Sequence, residues 1–274
     1  MLSLRRWHAI AAVFNILSIS GYAMAHTSVM SKNTPTDYSS REELEGTTAY
    51  NHFSISHGCD GQPVRAQSVV FPNGSDTIAE RSDTGESINL SDYITGNPVM
   101  GARPAVNSLF KKVTKLTGTV PSFTSHGAES SEDTRAFVFT GGMLKDGYLG
   151  ILPWSATFPT FKSDSCATAL TVYIAIANYC TKSRNEDDND RADIWIGRLT
   201  EKYNDEDVVS VGYWPYIKVV RDLEGNPLPE GCGEGYEINV YPSDEAIDEY
   251  LPVKGFWPAD GSEGEHGDHS NHKH

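Results

Sequence analysis

The strongest constraint on this chain is its punctuation. Apolar and alternating runs are short, and Gly, Pro, Asn and Asp interrupt them before a helical period can establish itself. Runs near 49–56, 64–71, 135–140, 168–177, 192–199, 208–220 and 235–241 read as strands. Turn chemistry separates them at Pro72-Asn73-Gly74, Asp146-Gly147 and Glu224-Gly225-Asn226-Pro227. Many short strands divided in this way predict an all-β fold built as an antiparallel sandwich, with long loops and one or two short helices. The helices are expected within 104–118 and at Ser243–Tyr250, where Ser243 stands in the capping position. The polar stretches 28–47 and 118–134 are expected to be loops.

The first residues bear on the compartment. Arg5 and Arg6 precede an apolar stretch from Ala9 to Ile19, and Ala23-Met24-Ala25 supplies the small-x-small pattern cut by a signal peptidase. The apolar run is shorter than the ~20 residues a membrane span needs. Export, with cleavage after Ala25, is therefore expected. The destination would be the periplasm, the outer cell surface or the medium. The chain is then expected to divide into a signal peptide (1–25), one β-rich domain (26–257, immunoglobulin-like or related) and a disordered, acidic, His-rich tail (258–274).

Cysteine usage agrees with export. Cys59, Cys166, Cys180 and Cys232 are even in number and form no CxxC, which reads as two disulfides with three pairings open. The formal net charge is −15, with 37 acidic and 22 basic residues. Removing Arg5 and Arg6 takes it from −15 to −17. A nucleic-acid partner is excluded on this balance, because a phosphate backbone would be repelled. Asn185–Asp190 lacks the spaced ligands and bidentate Glu of an EF-hand and reads as a solvated loop. There is no G-x-S-x-G elbow, HExxH or phosphate-binding Gly loop.

Histidine is the informative residue type. Cleavage would leave His26 as the new N-terminus, with an α-amine and an imidazole able to chelate one copper ion. The tail carries His266, His269, His272 and His274, a metal-binding composition without defined geometry. Before the tail the mature chain holds only His26, His52, His57 and His126. In the run Thr47–Pro72, strand alternation puts Phe53 and Ile55 on one face and Tyr50, His52 and Ser54 on the other. Tyr50 and His52 thus stand side by side on the polar face. His57, next to Cys59, reads as a structural residue of a turn. His126 lies in a polar stretch with Gly127. Met30, Met100 and Met143 are further donors, with no suggestive placement in the sequence.

Phe53-Ser-Ile-Ser-His-Gly-Cys-Asp-Gly-Gln-Pro63 resembles the YcnI-like family of exported copper-binding proteins. The resemblance implies a mature N-terminal histidine, here His26, assisted by a carboxylate and an aromatic residue. Glu42, Glu43 and Glu45 are the candidate carboxylates, and Trp154, Trp195, Trp214 and Trp257 the candidate tryptophans. The chain is also similar to the copper-repressible surface copper-binding proteins of methane-oxidising bacteria. That resemblance implies a Cu(I) site of two histidines and a kynurenine two residues before one of them. Tyr50-Asn51-His52 has this spacing and His126 follows 74 residues later. Tyr50 stands where the tryptophan would be, so no kynurenine can form there.

The expected ligand set is therefore His52, His126, His26 and Tyr50, and the expected cofactor is copper, as Cu(I) or Cu(II). The expected function is an extracytoplasmic copper-binding protein that scavenges, stores or delivers copper without turnover. Another exported copper or redox protein would be its exchange partner. Two alternatives remain at this stage. One is a histidine-brace copper monooxygenase acting on polysaccharide. The other is a surface β-sandwich with no specific metal.

Overall fold

A computed structural model describes residues 28–31, 42–56, 58–124, 127–182 and 189–258, and at 28–31, 122–124 and 127–129 the backbone path alone. In chain order the strands are β1 (Ser28–Ser31), β2 (Glu42–Leu44), β3 (Thr48–Ile55), β4 (Ala66–Val70), β5 (Ile78–Arg81), β6 (Ile94–Thr95), β7 (Met100–Pro104), β8 (Lys112–Thr124) and β9 (Gly127–Thr140). They continue with β10 (Gly150–Thr157), β11 (Thr160–Phe161), β12 (Ala167–Tyr173), β13 (Ala175–Tyr179), β14 (Ala192–Gly197), β15 (Val209–Val211), β16 (Tyr216–Val220) and β17 (Tyr236–Tyr241). One α-helix, α1 (Asp244–Tyr250), follows.

These strands form sheets in the orders β1-β3-β10-β7, β2-β16-β12-β17-β5 and β15-β14-β13-β4-β9-β8, with a small β11-β6 pair. The architecture is a β-sandwich. Its pairing is mostly antiparallel, with parallel contacts at β12–β17, β14–β15 and β16–β2. β12 and β13 are one chain run through Ile174 that leaves the five-stranded sheet and joins the six-stranded one. A strand that changes sheets in this way makes a corner between the two layers.

The inner faces of the three large sheets share one core. Phe53, Leu152 and Trp154 come from the four-stranded sheet, Val69, Phe137 and Ile176 from the six-stranded, and Leu170, Ile217 and Ile238 from the five-stranded. Trp154 stacks on Phe53 with ring centroids 5.2 Å apart and touches Phe71 at 5.3 Å. β4 and β13 are buried on both faces. Their second face is covered by α1 and the arm after it, through Ala246, Ile247, Leu251, Val253 and Phe256. Ser243 caps α1 by accepting from the Ala246 N–H, as its position predicts. Ser68 Oγ and Tyr179 OH both donate to the Leu251 carbonyl, at 2.5 and 2.8 Å, and pin the start of the arm.

Of the three open pairings, the chain makes Cys59–Cys180 and Cys166–Cys232. The first is fully buried. It anchors a tight turn at Cys59-Asp60-Gly61-Gln62, closed by the Gln62 N–H on the Cys59 carbonyl at 2.8 Å. Asp60 and Gly61 both have positive φ, the geometry for which Asp-Gly is the preferred pair. Gly58 is required by crowding, since a Cβ there would lie 1.6 Å from the Gln62 carbonyl oxygen. Turn chemistry and a disulfide therefore account for most of the Gly-Cys-Asp-Gly-Gln motif.

Three sequence expectations are corrected. Residues 104–118 contain no helix: they are the end of β7, a connection, and the start of β8. Leu109, Phe110, Val113 and Leu116 mimic a helical spacing, but the β-branched Val113, Thr114 and Thr117 pair across to β9 instead. The polar stretch 118–134 pairs as a long hairpin, β8 against β9, through Thr124 opposite Gly127. The stretch 28–47 likewise holds β1 and β2.

Candidate metal centre

β3 delivers the one candidate histidine that lies within the described residues. Its burial alternates as far as Phe53: Ala49, Asn51 and Phe53 are buried, while Tyr50 is 65% exposed and His52 half-buried on the outer face; Ser54, expected beside them, is buried. β10 runs antiparallel beside it, placing Pro153 opposite His52 and Ser155 opposite Tyr50. On the other flank β1 places Met30 opposite His52. Residues opposed in an antiparallel ladder share a face, about 5 Å apart. Met30, His52 and Pro153 thus form one row across three strands, with Tyr50 two residues along.

The His52 imidazole makes no hydrogen bond to a described residue. Burial lowers its pKa below the ordinary histidine value, by desolvation of the charged form. The neutral ring is the ligating form. The sequence does not place Met30 opposite His52, because that pairing is fixed by cross-strand register rather than by spacing along the chain.

His26 and His126 lie outside the described residues, as does His57. Among the described residues no group of three or more His, Cys, Asp or Glu could hold a metal ion. The candidate carboxylates do not gather at His52. Glu45 is buried, and its carboxylate accepts from the Phe161 N–H at 2.6 Å, the Asp222 N–H at 2.8 Å and Asn226 Nδ2 at 3.1 Å. It is a staple for two loops. Glu42 and Glu43 belong to β2, in the five-stranded sheet.

The tryptophans are also committed elsewhere. Trp154 lies next to the His52 row in sequence register but on the inner face. Trp195 is buried in the core, Trp214 packs near Tyr173 and Tyr241, and Trp257 covers Tyr203 and Arg191.

No family model matches the chain, and no curated protein is similar to it. Among solved structures it is similar to an uncharacterized protein from Nocardia farcinica whose crystal structure reveals an immunoglobulin-like fold. The identity is 10% and the TM-score 0.34, over 65% of this chain and 91% of that one. Among the described residues no helix is long and apolar enough to cross a membrane.

Proposed function

We propose that this chain is an extracytoplasmic copper-binding protein that captures and hands on copper without turning over a substrate. The observation supporting this most is the row on the outer face of β3, where His52 is opposed in register by Met30 and preceded by Tyr50, two residues earlier. A half-buried, neutral imidazole with no hydrogen bond to a described residue needs little reorganisation to accept a metal. Two disulfides fit an oxidising compartment. His26 and His126 are proposed to complete the ligand set.

The test is copper stoichiometry of the chain ending at Pro258, reduced to Cu(I) and freed of loosely held metal. One copper per chain is expected, with loss in His52→Ala and a fall of at least tenfold in affinity in Met30→Leu. A tail-less chain that retains no copper would support a surface sandwich with no specific metal and end this proposal.

A further inference from the structure

On the far side of the six-stranded sheet from the main core lies a groove of about 870 Å³. Its floor is the outer face of β8 and β9, where Thr114 opposes Val138 and Lys112 opposes Thr140. One wall is the arm after α1, with Pro252, Val253 and Phe256. Leu116 and Val138 add apolar surface.

The polar lining has one sign. Arg65, Lys111, Lys112 and Lys182 face the groove, Lys254 stands on the same rim, and no carboxylate lines it among the described residues. The chain as a whole has 37 acids against 22 bases. A cationic groove on so acidic a protein is a local reversal of the field.

Lysines on an exposed edge strand also discourage sheet-to-sheet aggregation, and β8 is an edge strand. That explanation covers Lys111 and Lys112 alone. Arg65 comes from the approach to β4 and Lys182 from the chain after β13. Lys182 is held near the Phe256 ring, its ammonium 6.0 Å from the centroid. Four cations from three separate segments thus converge on one concave surface.

We infer that this groove binds a small multivalent anion, one carrying two or more sulfate, phosphate or carboxylate groups on a compact body with apolar faces. The volume lies within the ~300–1,000 Å³ of small-ligand sites. Lysine ammoniums at the rim meet the anionic groups, while the part-exposed Leu116 and Val138 meet the body. A long polyanion is disfavoured, because beyond the groove it meets the net negative field. Phe256 is 6% exposed and offers no open ring for stacking a base.

The experiment is calorimetric titration of the full chain with sucrose octasulfate, inositol hexakisphosphate, sucrose and a 20-residue oligothymidylate. Binding near one to one is expected for the first two, with the tighter of them telling a sulfate ester from a phosphate ligand. Affinity should fall at least tenfold in Lys112→Gln/Lys182→Gln and weaken with salt. Lys145→Gln, an exposed lysine outside the groove, should leave affinity unchanged. Circular dichroism of each variant checks that it folds, and Arg65→Gln serves as a second probe if the double variant does not. Equal loss in the Lys145 variant, no loss in folded groove variants, or tighter binding of oligothymidylate than of both small anions would overturn the inference.

Discussion

The two faces of β3 are one residue apart in sequence and opposite in role. Inward, Phe53 and Ile55 are fully buried, and Phe53 stacks on Trp154 in a core shared by three sheets. Outward, Tyr50 is largely exposed and His52 half-buried, beside Met30 and Pro153. The inner face is fixed by volume, so a change there is felt by the whole fold. The outer face is set in position by the ladder, and His52 there is only half-buried. Stability should therefore depend on one alternation of this strand, and metal binding on the other.

The largest separation between the faces is expected at the disulfide that anchors the turn after β3. Cys59→Ala/Cys180→Ala opens a link of 121 residues, which the chain-entropy estimate values at about 4–5 kcal/mol. Chemical denaturation should show that loss while copper binding by the folded fraction persists. Phe53→Ala removes a fully buried ring and should cost about 3–5 kcal/mol, again without direct effect on the metal.

A smaller effect should appear at alkaline pH, with the fully buried tyrosine pair contributing to it. Burial raises the pKa of Tyr179 and Tyr203 well above the ordinary value of 10, and their hydroxyls are 2.8 Å apart. The unfolded chain then loses these protons first, so stability should fall as pH climbs through about 10. Tyr203→Phe should flatten that slope in pH-dependent denaturation.

The acid side probes the outer face. His52 has a folded pKa below 6.5, so on acidification the unfolded state takes up its proton first. Stability should decline as pH falls below about 6.5, and His52→Gln should remove that part of the decline. At neutral pH the same substitution should change stability by only about 0.5 kcal/mol or less. Tyr50→Phe, at the exposed end of the row, should have the smallest effect on stability of the series.

Much of the frame was legible because it is local. The alternation from Thr48 to Phe53 is matched by the burial, though Ser54 is buried against expectation, and Ser243 marked the start of α1. An even cysteine count indicated two disulfides but not their partners, which depend on how Cys59 and Cys180 meet across 121 residues. What could not be read depends on distant pairing. The β8–β9 hairpin is polar at its outer end, and its strand character comes from thirteen-residue mutual register rather than from an apolar pattern. The run 208–220 reads as one strand, yet the chain bends at Gly212 and Pro215, giving β15 and β16 in different sheets. Met30 gains its interest only when β1 is laid along β3. The cations of the groove are scattered in sequence and line one concave surface only when the arm after α1 folds back.

The most direct measurement is competitive Cu(I) titration, against a chromophoric chelator, of the chain ending at Pro258 and of its His52→Ala variant, with unfolding curves for both. The proposed role predicts one tightly held copper in the parent, none in the variant, and superimposable unfolding curves without metal. Equal copper affinity in the two proteins would contradict it, since the outer face of β3 would then have no part in holding the ion.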